Sequence, residues 1–144
     1  MFLEWRLNLI YLLQSSAFQN YSSDAVITDT AGDAVMSFDL VVGDLEPDII
    51  FQALENSIPK NLSSTTAIVL QWLKPDATVV VVTLTAVNLT LGLVKYVWVS
   101  GDTLLAGTHA GRIVVTYTNG DVQTFPSDGS SVIWNVHEQL GVDC

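Results

Sequence analysis

Apolar and polar residues alternate with a period of two along most of this chain, and the alternation is cut at short intervals by turn-forming residues. The clearest case surrounds Asn119-Gly120. Ile113, Val115 and Tyr117 fall on one face, and Val114, Thr116 and Thr118 fall on the other. Asn-Gly suits a two-residue type I′ turn, which pairs Tyr117 with Val122 and predicts a β-hairpin. Elsewhere Met36, Phe38, Leu40 and Val42 alternate with Ser37 and Asp39, and Gly43-Asp44 and Pro47 follow. Strands are predicted at 48–54, at 66–73 with Ile68, Leu70 and Trp72 on one face, at 78–84, at 93–99 with Val94, Tyr96 and Trp98 together, and at 132–136. The breaks are 56–61, Lys74-Pro75-Asp76-Ala77, 88–92 and Ser100-Gly101-Asp102, rich in residues that fix or permit turn geometry. Seven to eight short antiparallel strands with this spacing predict an all-β sandwich with little helix. The expected inward residues are Phe38, Leu40, Ile49, Phe51, Ile68, Leu70, Trp72, Val94, Tyr96, Trp98, Ile113, Val115, Tyr117 and Val122.

The first part of the chain reads differently. Leu3, Trp5, Leu7, Leu9 and Tyr11 alternate with Glu4, Arg6 and Asn8, as in a strand. Leu3, Leu7 and Ile10 also share a helical face, so periodicity leaves both forms open and the reading leans to an extended arm. Residues 14–33 are polar and Ser-rich and read as a linker, with a short strand at Ala25–Thr28. The expected division is an arm and linker over 1–33 and a sandwich domain over 34–144. Removing 1–33 is then expected to leave a folded domain. Arg6 follows Glu4, Asn8 interrupts the apolar run, and no small-residue cleavage site follows, so the segment is read as mature protein.

The 144 residues suffice for one domain with a core. Hydrophobic residues make up 49% and charged residues 14%, which excludes a disordered chain. Fifteen acidic and five basic residues give a net charge of −10. The five bases form no cluster, so neither nucleic acid nor an anionic membrane is expected as a partner. The acidity serves solubility and mutual repulsion of free subunits.

Candidate chemistry is sparse. Cys144 is the single cysteine, which rules out an intrachain disulfide. His109 and His137 stand in separate segments without a third ligand pattern for zinc. No Ser lies on a G-x-S-x-G elbow. Asp44, Glu46, Asp48 and Glu55 imitate the spacing of an EF-hand, but Ile49 stands where the sharp turn needs Gly. Sequons at Asn20, Asn61 and Asn88 matter only in a glycosylating pathway. No catalytic residue, metal or cofactor is expected, and the protein is read as a non-enzyme. Trp72 and Trp98 are expected in the core. Trp5, Leu7, Leu9 and Tyr11 are the candidate interface, because an arm cannot bury them by itself.

Taken in order, several turn motifs are similar to those of a known family. They are Gly43-Asp44-Leu45-Glu46-Pro47-Asp48-Ile49, Asn61-Leu62-Ser63, Lys74-Pro75-Asp76, Gly92-Leu93-Val94-Lys95-Tyr96-Val97-Trp98, Gly101-Asp102-Thr103, Ala106-Gly107-Thr108, Val114 to Asp121, and Gln123-Thr124-Phe125-Pro126. Over roughly two thirds of the chain they resemble the phage immunoglobulin-like domain at the N-terminus of the baseplate upper protein family of tailed phages. Ala77 departs from the Gly usual there, and residues 1–34 have no counterpart. The resemblance implies an immunoglobulin-like β-sandwich acting as a virion structural protein. It would be a tail, baseplate or neck adaptor, assembled in the host cytoplasm as a homo-oligomer docked on other virion proteins. Alternatives are a capsid decoration protein and a carbohydrate-binding host-attachment module.

Overall fold

The computed structural model describes residues 24–140. Eleven strands follow in order: β1 (Ala25–Thr28), β2 (Asp39–Val41), β3 (Ile49–Glu55), β4 (Ile58–Pro59), β5 (Thr65–Leu73), β6 (Val79–Thr83), β7 (Thr85–Asn88), β8 (Leu93–Tyr96), β9 (Gly107–Tyr117), β10 (Val122–Phe125) and β11 (Val132–His137). A single 3₁₀ turn, Leu89–Leu91, separates β7 from β8. One sheet has the order β1-β3-β8-β7, with β4 beside β3; the other has the order β2-β11-β9-β5-β6, with β10 beside β9. The expected all-β sandwich of immunoglobulin-like type is therefore present. It differs in detail from the expected seven to eight antiparallel strands, because the chain is cut into more, shorter pieces and β2 joins β11 in parallel.

The two inner faces meet in one core. β3 contributes Ile49, Phe51 and Ala53, β5 contributes Leu70 and Trp72, β9 contributes Ile113 and Val115, and β11 contributes Val132, Trp134 and Val136. Period-two alternation delivers these side chains to one side of each strand, as in any half-buried sheet. Gly111 in β9 sits in close packing: a Cβ there would lie 2.8 Å from Leu70 Cδ1 and 3.2 Å from the Trp134 ring, so a larger residue would have to displace the Leu70 side chain.

Most expected inward residues are buried, and Phe38, Ile68, Tyr96 and Tyr117 pack partly buried against the core. Val122 is the exception: it is 63% exposed. The cause lies in the hairpin. Val122 pairs with Thr116, not Tyr117. Tyr117 N donates to Asp121 O and Gly120 N to Tyr117 O, so the loop has three residues, with Gly120 at φ +93. This is the three-residue loop closed by a left-handed residue, in place of the expected two-residue type I′ turn. A one-residue shift in register moves a side chain to the opposite face, so Val122 points to solvent and Phe125, opposite Ile113, is buried.

The division at 33/34 also needs correcting. β1 pairs with β3, and Ala25 and Ile27 are fully buried. The short strand expected inside a linker is a core strand, so removing 1–33 would tear out part of the sandwich.

A candidate interaction edge at β6

A sheet edge carries a row of unpaired backbone groups and is protected in most folded proteins. The edge at β1 is covered: Val35 N donates to Ile27 O, Thr28 bridges to Ala34, and Asp29 N donates to Asp33 O. The edge at β2 is three residues long and flanked by charge; Asp44 Oδ2 accepts from Val41 N, and His137 Nε2 contacts Asp39 Oδ1 at 2.8 Å. That contact, a hydrogen bond first of all, holds the Asp39 carboxyl below its ordinary value. The edge at β7 is broken by a register shift between Ala86 and Asn88.

β6 has none of these protections. It keeps an unbroken antiparallel register with β5, from Val69 opposite Thr83 to Leu73 opposite Val79. Its sequence, Val-Val-Val-Val-Thr, holds no charge, no Pro and no Gly. Lys74 N donates to Thr78 O at one end and Leu84 N to Ile68 O at the other. Bonded and non-bonded pairs alternate along an antiparallel ladder. Residues 80 and 82 therefore bond to β5, and Val79, Val81 and Thr83 direct N–H and C=O away from it. No described residue pairs with that side. Val79 and Val81 are 62% and 59% exposed, and with Leu73 they form an apolar stripe on the outer face. Val80 and Val82 face inward and pack, partly buried, against the core. A groove of about 180 Å³ runs beside the stripe, between Leu73, Val79 and Ala110 on one hand and Gln71, Arg112 and Ser131 on the other. Arg112 is held there by bonds to the carbonyls of Gly129 and Ser130.

The turn that leads into β6 repeats the Asn119-Gly120 geometry. Ala77 N donates to Lys74 O, Asp76 Oδ1 accepts from Thr78 N, and Ala77 sits at φ 72. Here Ala occupies the left-handed position that Gly120 holds in the other hairpin.

The densest polar and aromatic cluster is inside the core. Trp72 is its hub, with the Tyr96, Trp98, His109 and Trp134 rings all within 6 Å of its own. Trp72 Nε1 donates to His109 Nδ1 at 2.9 Å, and His109 Nε2 lies 2.9 Å from Leu105 O. This arrangement requires the neutral ring with its proton on Nε2, and burial pushes the His109 pKa down. Trp98 Nε1 donates to Pro47 O. Tyr96 donates to Asp102 Oδ2, and burial, then that carboxylate, raises the phenol to about 12. Trp134 Nε1 is buried with no hydrogen-bond partner among the described residues. With Trp72, Trp98 and Trp134 all buried, none of the three presents a ring for stacking on a sugar.

The candidate residues Trp5, Leu7, Leu9 and Tyr11 lie outside the described residues. His109 and His137 are not brought together: one is in the core, the other on the β2 edge. Among the described residues no three His, Cys, Asp or Glu side chains form a group suited to a metal ion, and no helix is long and apolar enough to cross a membrane. The β6 edge was missed in the sequence. Its signal was present as an uncharged β-branched run, but nothing in the sequence says which strand lies at an edge.

No family model and no curated protein matches the chain. Among solved structures, CopC from Methylosinus trichosporium OB3b aligns over 80% of this chain and 95% of its own, at 8% identity and a TM-score of 0.45. That likeness assigns no property of CopC to this chain. The virion function expected from the baseplate resemblance is withdrawn with its capsid and glycan-binding alternatives: no family model and no curated protein supports it. The physical reason is visible in the fold. Gly43-Asp44, Pro75-Asp76 and Asn119-Gly120 each sit in a tight turn, and any sandwich with short loops needs such turns.

Proposed function

We propose that this chain is a non-catalytic assembly module whose copies associate by adding a β-strand along the β6 edge. The observation that carries the reading is the uncharged β6 strand, whose outer side pairs with no described residue and turns the N–H and C=O groups of Val79, Val81 and Thr83 outward beside an apolar stripe. Strand addition uses such groups for affinity and the adjacent side chains for selectivity. The net charge of −10 turns the surface away from phosphate polymers. It also limits random contact between subunits, which leaves the uncharged edge as the place of approach. The non-catalytic reading is supported by His109, whose two ring nitrogens are both engaged inside the core.

Amide hydrogen exchange at two protein concentrations tests the reading. The amides of Val79, Val81 and Thr83 should exchange at least about tenfold more slowly in concentrated than in dilute protein, as an association equilibrium requires. Exchange at those three amides that stays fast at every concentration overturns it.

A further inference from the structure

Resting on the reading of β6 as the strand-accepting edge, we infer that the strand it accepts is β6 of a second copy, paired antiparallel about a two-fold axis that passes through Val81. A strand added to β6 needs a regular, uncharged side of comparable length with its backbone groups free. The β1 edge is occupied by the chain at 33–35. β2 has three residues and the Asp44 carboxylate on Val41 N, and β7 is broken by a register shift. β4 has two residues, and β10 has four and runs into Pro126, a residue that blunts an edge. Among the described residues, β6 alone offers what β6 requires. A surface that complements itself defines an isologous contact.

The backbone fits that symmetry. Val79, Val81 and Thr83 direct N–H and C=O away from β5, because the ladder between the two strands alternates from the Lys74–Thr78 bond to the Leu84–Ile68 bond. With the axis at Val81, Val81 meets Val81, and Val79 of each copy meets Thr83 of the other. Every outward N–H of one copy then finds an outward C=O of its partner. An axis at Val80 or Val82 would leave one end of each strand unpaired. The exposed stripe of Val79 and Val81 continues into its own image, since directly opposed residues share a face. Charge favours the same approach. The chain carries −10, yet residues 77–94 hold no charged side chain. β5, β6 and β9 contain no Asp or Glu, and Arg112 of β9 stands in register with Val81 through Gln71. Lys74 and Asp76, in the turn before β6, offset each other. Two copies of a strongly acidic chain therefore meet with little repulsion across this edge.

The test joins two copies at chosen positions. Opposed residues of a bonded antiparallel pair lie about 5.5 Å apart at Cα, within reach of a disulfide, whereas residues displaced by four along the strand lie about 14 Å apart. In full chains bearing Cys144→Ser, Val81→Cys should oxidise to a covalent dimer at least about tenfold faster than Val79→Cys. A mixture of Val79→Cys and Thr83→Cys chains should give the mixed dimer at the faster rate. Circular dichroism confirms that each variant is folded. The unsubstituted chain, kept reduced, should sediment as a monomer–dimer equilibrium whose mass stops at two copies, because a closed two-fold uses up the edge. Equal oxidation rates at the three positions, with the amides of Val79, Val81 and Thr83 still slowed by concentration, overturn the two-fold pairing and leave the β6 reading standing. A mass that rises past two copies with those amides slowed does the same. Fast exchange of the three amides at every concentration overturns both.

Discussion

The sandwich has two long sides, and they are finished in different ways. On the β1 side all four strand residues are buried, and the backbone beyond them is occupied by Val35, Ala34 and Asp33. On the β6 side the same architecture ends in a strand whose outer side pairs with no described residue, and its outward valines are more than half exposed. Both strands are short, apolar and β-branched. The difference is the piece of chain that follows. After β1 the chain turns at Asp29, whose carboxylate accepts from Ala31 N and Asp33 N, and folds back over the strand it has just left. After β6 the chain continues without a turn into the other sheet, so nothing local returns to cover the edge. A strand's exposure is thus set by its connection as much as by its residues.

The sharpest way to break this contrast is to weaken the closed side. Ile27→Ala removes a fully buried side chain from β1 and should cost about 2–5 kcal/mol of stability, seen as a lower midpoint in urea. An unchanged midpoint would mean that β1 is dispensable.

Acid should act next, through the core that both sides share. The folded-state pKa of His109 lies below its unfolded value of 6.5, so the neutral ring is favoured by folding. Its contribution is full above about pH 6.5 and is lost as pH falls below that value toward the lowered folded pKa. Protonating Nδ1 would set a second donor against Trp72 Nε1. The melting temperature should fall between about pH 6.5 and pH 5, and His109→Phe should flatten the slope in that window while lowering the plateau. A slope that persists in the variant would assign the effect to other groups.

Ala77→Gly sharpens the open side. Ala77 holds a left-handed backbone in the turn that delivers β6, and Gly there should raise stability by about 1 kcal/mol, read from the thermal midpoint. The reverse change in the matching hairpin, Gly120→Ala, should lower it by a similar amount, since Gly120 at φ +93 has open space around it and only the backbone is at issue. Equal midpoints for both variants would show that the turns are not strained as the angles indicate.

The smallest expected effect on stability separates folding from association. Val81→Lys changes an outward side chain and should move the folding midpoint by no more than about 0.5 kcal/mol. A charge on a bare edge opposes strand addition, so the same variant should reduce self-association in sedimentation. A large loss of folding stability would show that Val81 belongs to the core.

Much of this arrangement could be read in the residues. The alternation at Leu70 and Trp72, and at Ile113 and Val115, named core positions correctly because a strand has one buried face whatever lies opposite. The turn at Asn119-Gly120 was located, yet its length was not. Asn-Gly satisfies a two-residue turn, and a three-residue loop with Gly in the left-handed position uses the same pair, so Val122 fell on the wrong face. Ala25–Thr28 looked like a strand adrift in a linker because four residues carry too little pattern to show a partner some twenty-five residues away in β3. The family resemblance rested on turn residues, which report local geometry and not ancestry.

By itself the sequence determined the class of fold, most of the core and the positions of the turns, because these follow from side-chain periodicity and from the backbone freedom of single residues. Only the tertiary structure decided which strands became edges, which edge was covered and where His109 came to rest. Those outcomes depend on pairing between segments far apart in the chain: β9 with β5 and β11, β1 with β3, and Trp72 with His109 across 37 residues. No local pattern encodes such pairings, because each strand can satisfy its backbone and its apolar face against several partners. The choice is made by how all the faces close together around one core.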